Sequence, residues 1–93
     1  MLFYVIAYDI PDDKRRRKIA ELLEGYGRRV QFSVFEACLE TSQVEELCDR
    51  LQRRIQPRED HIRIYPLSRH TQATVLVLGS GQIPLEPPLS TVV

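Results

Sequence analysis

The chain has 93 residues, and its 13 basic side chains balance 13 acidic ones, so the formal net charge is zero. This balance excludes a polycation that coats nucleic acid by bulk attraction, so any phosphate-binding site has to be local. One domain of this length buries a modest fraction of its surface, which makes self-association a reasonable expectation. Eleven of the basic residues are arginines, a bias that suits bidentate phosphate contacts and also ordinary surface ion pairs.

The cysteines and the hydropathy pattern indicate the cellular compartment of the protein. Cys38 and Cys48 lie in apolar-patterned segments without a CxxC spacing, so we interpret them as small buried thiols rather than a disulfide or a zinc site. Residues 1–8 are apolar but lack a basic leader and are too few for the core of a signal peptide, and no segment reaches transmembrane length. We therefore expect a cytoplasmic protein that does not contact a membrane.

The first half of the chain predicts a strand, a helix and two further strands. The run Leu2 to Tyr8 is rich in aromatic and β-branched residues, which is typical of a strand. Helix-start aspartates and apolar residues at helical spacing then predict a helix over about 12–26. The segment RVQFSVFEACLE has strand composition and fits one bent strand or two strands broken near Ser33, of which we prefer two.

The second half predicts a helix and two strands. Ser42 and Glu45 have the spacing of a capping box, and apolar residues follow at helical spacing as far as Ile55. The segment HIRIYPL alternates as a strand, and its Pro66 indicates a sheet edge or a bulge. The segment ATVLVL at 73–78 predicts one more strand.

This order of elements describes an α+β, ferredoxin-like βαββαβ domain with an additional C-terminal strand, in which two helices cover one face of an antiparallel sheet. We assign residues 1–80 to the domain and residues 81–93 to a tail. The tail is apolar and rich in proline, which predicts that it packs at a dimer interface along a sheet edge. The alternative is a frayed terminus.

Alternation along the first strand gives it two apolar faces. One face carries Phe3, Val5, Ala7 and Asp9, and the other carries Leu2, Tyr4, Ile6 and Tyr8. Because two helices can cover only one face in so small a chain, we predict a homodimer through the open sheet face.

Asp9 is an acid at the end of this apolar strand. If it faces the partner, twofold symmetry brings two identical carboxylates together, and such a pair needs a cation between them. Mg²⁺ accepts one or two carboxylates together with water and substrate phosphate, so we predict one ion shared by the two Asp9 side chains. The alternative is that Asp9 caps the following turn or pairs with an arginine.

Five consecutive cations, residues 14–18, follow at the start of the first helix. They oppose the helix macrodipole, which a sequence selected only for stability would avoid. Basic residues beside a metal-binding carboxylate can hold a phosphodiester and offset charge in the transition state. We therefore predict nucleic-acid contacts from a set of basic residues: Lys14, Arg15, Arg16, Arg17, Lys18, Arg28 and Arg29. The alternative is a solvated charged face, and that interpretation is kept for Arg50, Arg53, Arg54 and Arg58.

Aromatic and histidine side chains are weaker candidates. Tyr8 and Phe35 each fit base stacking or the core, and the core is favoured. His61 and His70 are not spaced for joint metal binding, so we interpret them as surface or loop histidines.

The segments YVIAYDIPDDKRRRKIAELL and GRRVQFSVFEACL resemble the CRISPR-associated protein two family, and the resemblance spans nearly the whole chain. It implies a homodimer of ferredoxin-like subunits with C-terminal strand exchange. It further implies Mg²⁺ held between two copies of Asp9, metal-dependent phosphodiester cleavage in RNA or DNA, and a bridging role between two dimers of the CRISPR integrase during spacer acquisition.

The resemblance also implies roles for individual residues. It places the metal aspartate on Asp9, the tyrosine before it on Tyr8 and the basic residues of the first helix on Arg16 and Lys18. The basic residue before the following strand falls on Arg29, and the aromatic of the SVF segment falls on Phe35. Lys18 stands where some members of the family have arginine.

Three functions fit these expectations. The first is a Mg²⁺-dependent endonuclease of antiviral CRISPR adaptation, acting on RNA or DNA. The second is a non-catalytic DNA-binding scaffold for the integrase. The third is a toxin-like ribonuclease of the same fold. The nuclease expectation covers RNA and DNA, single- and double-stranded.

Overall fold

The structure is a computed structural model, and it describes residues 1–81. Within this range the chain forms seven helices and strands: β1 (Leu2–Asp9), α1 (Asp13–Glu24), β2 (Arg28–Gln31), β3 (Val34–Leu39), α2 (Thr41–Arg54), β4 (His61–Leu67) and α3 (Arg69–Gln72). The first six follow the predicted βαββαβ order. No helix in residues 1–81 is long and apolar enough to span a bilayer.

The four strands form one antiparallel sheet with the order β2-β3-β1-β4. This is the order of a ferredoxin-like fold, so the predicted α+β class is confirmed. The break that we preferred near Ser33 separates β2 from β3. Strand β4 lies at the sheet edge, as Pro66 indicated.

The predicted strand at 73–78 is wrong for the single chain. Ser68 caps α3 by accepting a hydrogen bond from the Thr71 N–H, and residues 75–78 have no regular structure. A strand needs a neighbouring ladder, and none is formed with this segment inside residues 1–81. Leu76 and Leu78 are consequently 87% and 91% exposed. Most of the predicted tail, from residue 82 onward, lies outside the described residues.

The observed N-cap of helix α2 lies two residues before the predicted cap, Ser42. Glu40 is the N-cap, and its N–H donates to Gln43 Oε1 at 2.8 Å. The capping pair is therefore Glu40 and Gln43 rather than Ser42 and Glu45. The cause is the short connection, since β3 ends at Leu39 and leaves a single residue to begin the helix.

The hydrophobic core lies between the sheet and the helices α1 and α2. Tyr4, Ile6 and Tyr8 of β1 pack there with buried side chains from both helices, including Leu23 and Leu47. Each such large apolar side chain contributes about 1.5–3 kcal/mol when it is fully buried. This face holds the domain together.

Gly27 allows the chain to turn tightly from α1 into β2. A Cβ at this position would lie 2.7 Å from the Ala37 Cβ and would collide with the Glu36 carbonyl oxygen. Any side chain at this position would push β2 away from β3. The glycine therefore fixes where β2 starts, and so fixes the position of Arg28 and Arg29.

The opposite sheet face, which we call the open face, is only partly covered. Its central residues Val5, Ala7 and Val34 are half-buried, and Tyr65 on β4 is 45% exposed. Phe3 is buried at the end of this face, where α3 packs against β1 and β4.

Both cysteines are free thiols. They are half-buried rather than fully buried as predicted, because neither lies at the centre of the core. Cys38 pairs across the sheet with Phe3 and so lies on the open face, where burial raises the pKa of its thiol.

Candidate nucleic-acid and metal site

Asp9 lies at the end of β1 with an exposed side chain. It is the cross-strand partner of His61 and shares the open face with Val5 and Ala7. Within residues 1–81 its carboxylate forms no hydrogen bond or ion pair. The cap of α1 is instead Asp12, which accepts from the Arg15 N–H at 2.8 Å. The alternative interpretation of Asp9, as a turn cap or an arginine partner, is therefore wrong for the described chain.

The donor set at Asp9 fits a hard cation that completes its coordination elsewhere. The carboxylate supplies oxygen ligands and has no competing partner in the described residues. One carboxylate is not a closed site, and residues 1–81 contain no group of three or more His, Cys, Asp or Glu side chains that could hold a metal ion. Mg²⁺ commonly keeps several waters and uses one or two protein carboxylates. A second copy of Asp9, water and phosphate would complete such a site.

Arg16 is held at the end of β1, immediately beyond Asp9. Its Nη1 donates to the Ile10 carbonyl oxygen at 2.9 Å, and its Nη2 forms an ion pair with Asp13. These contacts keep a half-buried guanidinium at the sheet end, on the side of α1 that faces the β2–β3 turn.

Arg29 reaches the same end of the sheet from β2. Its Nη2 donates to the Tyr8 hydroxyl at 3.3 Å, and this hydroxyl in turn donates to the Phe32 carbonyl oxygen at 3.1 Å. Because Tyr8 is 5% exposed, it is positioned to fix Arg29 and the β2–β3 turn rather than to touch a substrate.

Phe35 is 0% exposed. Its ring lies in the core beneath the Arg29 guanidinium, 5.4 Å from ring centroid to Cζ. The core interpretation is correct, and direct contact between Phe35 and a substrate is excluded by its burial. The family resemblance implied a functional role for Phe35. In this structure Phe35 can act only indirectly, by supporting the Arg29 guanidinium.

Arg15 has structural partners. Its Nε and Nη2 donate to the two Asp60 carboxylate oxygens at 2.8 and 3.0 Å, and Nη2 also donates to Glu59 at 2.7 Å. The Asp60 side chain is fully buried and also accepts from the Gln56 N–H. The bidentate pair joins α1 to the start of β4, which favours a structural role over the predicted phosphate contact.

The remaining predicted basic residues do not form one continuous basic surface. Arg17 is exposed and lines the same cleft as Arg16. Lys14 and Lys18 are exposed, but neither lines that cleft, because they lie on another side of α1. Arg28 pairs with Glu36 at 3.5 Å, and its register partner places it on the open face.

The histidines and the α2 arginines have the predicted surface placement. His61 and His70 are exposed, and His61 Nε2 accepts from Arg63 Nε at 2.8 Å. The exposed Arg53 pairs with Asp49, and Arg54 donates to a backbone carbonyl of its own helix.

Phe32 is the residue that the sequence interpretation missed. It lies in the turn between β2 and β3 and is 69% exposed. The guanidinium carbons of Arg16 and Arg29 lie 5.5 and 5.8 Å from its ring centroid. The signal in the sequence was a large aromatic at a predicted strand break, where a polar turn residue is usual.

The cleft beside Phe32 has a volume of about 480 Å³. It is lined by basic, acidic and apolar side chains: Arg16, Arg17, Arg29, Asp13, Glu21, Glu24, Ala20 and Phe32. Asp9 points to the open face and this cleft lies on the helix side, so the structure divides the predicted site residues between two sides of one sheet end.

The comparisons identify the family. Residues 1–75 match the CRISPR associated protein Cas2 family. The CRISPR-associated endoribonuclease Cas2 3 of Synechocystis sp. is 56% identical over 97% of this chain and 91% of that protein. The CRISPR-associated endonuclease Cas2 2 of Thermus thermophilus is 47% identical over 87% of this chain and 86% of that protein.

A solved structure described as a partial Cas6-RT-Cas1–Cas2 complex contains a chain that superposes with a TM-score of 0.79. The two sequences are 33% identical, and the superposition covers 100% of both chains. With the family match and the relatives, this likeness shows that the chain belongs to the CRISPR-associated Cas2 family, as its sequence segments indicated.

Proposed function

We propose that this protein is a metal-dependent endonuclease that cleaves phosphodiester bonds in RNA or DNA during CRISPR spacer acquisition. The observation that carries the proposal is the exposed Asp9 carboxylate, which has no partner in residues 1–81 and lies on the open face at the end of β1. The relatives named endoribonuclease and endonuclease support the same chemistry. We place the protein in the cytoplasm, where the free thiols Cys38 and Cys48 would stay reduced.

A homodimer through the open face would complete the site. The half-buried Val5, Ala7 and Val34 support this arrangement, because a second copy would remove their remaining apolar surface from water. Two copies of Asp9 would then hold one Mg²⁺. When bound, the ion would supply an activated water and stabilise charge on the departing oxygen.

The basic side chains have separate tasks in this proposal. Arg16 and Arg29 bind phosphate oxygens at the sheet end, and the Tyr8 hydroxyl orients Arg29. Arg17 adds a third guanidinium to the cleft that Arg16 and Arg29 line. Lys14 and Lys18 contribute only an outer, solvent-screened attraction, since they lie away from the cleft.

Asp9→Asn tests the proposal. We expect roughly 100-fold or more loss of Mg²⁺-dependent cleavage, since a catalytic metal contributes several kcal/mol to transition-state stabilisation. The measurement is a Mg²⁺ titration with single- and double-stranded RNA and DNA. Asp12→Asn is the matched control, because asparagine keeps the helix cap while removing a neighbouring charge. Equal cleavage by native protein and Asp9→Asn would contradict the proposal.

A non-catalytic scaffold is the second candidate, and the structural likeness to a chain of a Cas1–Cas2 complex favours it. In this function the protein binds DNA and docks the CRISPR integrase without cleaving. Intact integrase co-elution and duplex binding in Asp9→Asn, with no cleavage by the native protein above a mock purification, would select the scaffold. The family match favours both candidates over a toxin-like ribonuclease.

A further inference from the structure

The Phe32 ring is presented on a fixed backbone. The Tyr8 hydroxyl donates to the Phe32 carbonyl oxygen, and the Tyr8 N–H donates to the Ser33 carbonyl oxygen, both at 3.1 Å. Tyr8 itself is anchored in the core. An exposed aromatic ring costs solvation free energy that a polar residue in this turn would avoid, so its rigid presentation indicates a contact surface.

Two guanidinium groups flank the ring: the Cζ atoms of Arg16 and Arg29 lie 5.5 and 5.8 Å from the Phe32 ring centroid. The Arg16 guanidinium donates to the Ile10 carbonyl oxygen and pairs with Asp13, and the Arg29 guanidinium donates to the Tyr8 hydroxyl. Their remaining N–H donors are available to an anion at the rim of the cleft. An aromatic ring with cations around it is the combination that binds single strands, by base stacking together with phosphate contacts.

The cleft behind the ring is lined by as many carboxylates as guanidinium groups. Asp13, Glu21 and Glu24 line it together with the arginines, and within residues 1–81 neither glutamate carboxylate forms a hydrogen bond or an ion pair. Carboxylates repel phosphate but accept hydrogen bonds from the exocyclic amino groups of bases. The two unpaired glutamates therefore favour a base edge in the cleft, and the arginines beside the ring favour the phosphates at its rim. A volume of about 480 Å³ falls within the usual range for small-ligand sites.

We propose that Phe32 is a stacking platform for one unpaired nucleobase, with the adjacent phosphates on Arg16 and Arg29 and the base edge toward Glu21 and Glu24. This inference rests on the proposed function, because it requires a nucleic-acid substrate. It assigns the cleft to single-stranded or frayed segments, since a base inside a continuous duplex cannot reach the ring. It also predicts that cytosine binds better than thymine, because thymine lacks an exocyclic amino group.

The test compares Phe32→Ala and Phe32→Tyr with native protein in metal-free buffer, where no cleavage occurs. The readout is fluorescence anisotropy of a labelled oligo-dC strand, an oligo-dT strand and a blunt duplex of the same length. Val30→Ala is the control, since it also truncates an exposed apolar side chain on β2. We expect Phe32→Ala to weaken oligo-dC binding about fivefold or more, as loss of a base–aromatic stack does. Duplex affinity should stay unchanged, and Phe32→Tyr should keep native affinity.

The base-edge contact has its own variant. Glu21→Gln, which keeps the size of the side chain, should reduce the preference for oligo-dC over oligo-dT. Equal single-strand affinity of Phe32→Ala and native protein, with cleavage intact, would overturn this inference and leave the proposed function standing. If Phe32→Ala kept native single-strand affinity but no longer co-eluted with the integrase, Phe32 would be assigned to a protein contact. That result would also overturn this inference. A native protein that binds neither these oligonucleotides nor their RNA counterparts, with or without Mg²⁺, would overturn the proposed function itself.

Discussion

The two faces of the sheet differ in how far they are covered, although β1 presents apolar side chains to both. Ile6 and Val5 are neighbours on β1, yet Ile6 is 1% exposed in the core and Val5 is half-buried on the open face. The helices cover one face and leave the other, which carries Asp9. The difference shows that one face stabilises the protomer, while the other is available for intermolecular contact.

The largest expected effect is a loss of folding stability, caused by a substitution on the helix-covered face. Ile6→Ala should lower the free energy of unfolding by about 2–5 kcal/mol, because it leaves a cavity in a closely packed core. Val5→Lys should leave the folded protomer much less affected but should convert the proposed dimer to a monomer, since a charge would be buried at the interface.

Urea denaturation and light scattering after gel filtration measure these two effects separately. If the open face met only water, Val5→Lys would change neither the oligomeric state nor, beyond about 0.5 kcal/mol, the free energy of unfolding. A native protein that elutes as a monomer would contradict the role proposed here for the open face.

The second expected effect concerns charge on the helix-covered side. The hydrogen bond from Arg15 is the main cause that holds the pKa of Asp60 below its ordinary value. A lowered folded-state pKa means that the ionised carboxylate stabilises the fold above its unfolded pKa of about 4, and that this contribution is lost as the pH falls through the folded pKa. We expect Asp60→Asn to lower the thermal midpoint at neutral pH and to flatten its decline in acid.

Thermal melts from neutral pH to about pH 2 check this expectation. The control is Asp49→Asn, which removes an exposed carboxylate whose pair with Arg53 is worth little in water. Equal midpoints and equal acid profiles for the two variants would show that the Arg15–Asp60 pair does not stabilise the fold.

The smallest expected effect is the reactivity of Cys38 on the open face. Burial raises the pKa of this thiol, so less reactive thiolate is present at neutral pH. We expect alkylation by iodoacetamide to be several-fold slower in the folded protein than in urea at the same pH, and to accelerate in Val5→Lys as the face becomes exposed.

Mass spectrometry of Cys48→Ser, which leaves Cys38 as the single thiol, follows the reaction. Folded and denatured protein that react at the same rate would show that the open face does not shield this position.

The sequence was a reliable guide to the longer elements with a regular apolar pattern. The strand composition of residues 2–8, the helix-start aspartates and the apolar spacing of both helices correspond to β1, α1 and α2. The capping pair of α2 was misplaced because β3 ends at Leu39 and leaves a single residue, Glu40, to begin the helix. The strand predicted at 73–78 failed because a strand needs a partner, which composition does not supply.

The candidate site was predicted in composition but not in arrangement. Asp9, Arg16 and Arg29 were identified, yet the sequence could not show that Arg15 and Arg16, adjacent in the chain, have different partners. A helix turns by about 100° per residue, so neighbouring side chains point in different directions. Arg15 meets Asp60 and Arg16 meets the Phe32 ring.

The sequence by itself determined the ferredoxin-like order of elements, the acid at the end of the first strand and the family, because periodicity and short motifs are properties of neighbouring residues. Only the tertiary structure decided that Phe35 is buried, that Arg15 is bound to a carboxylate and that Phe32 lies between two arginines. Those outcomes depend on contacts between residues far apart in the chain, and such contacts exist only once the sheet and the helices have packed.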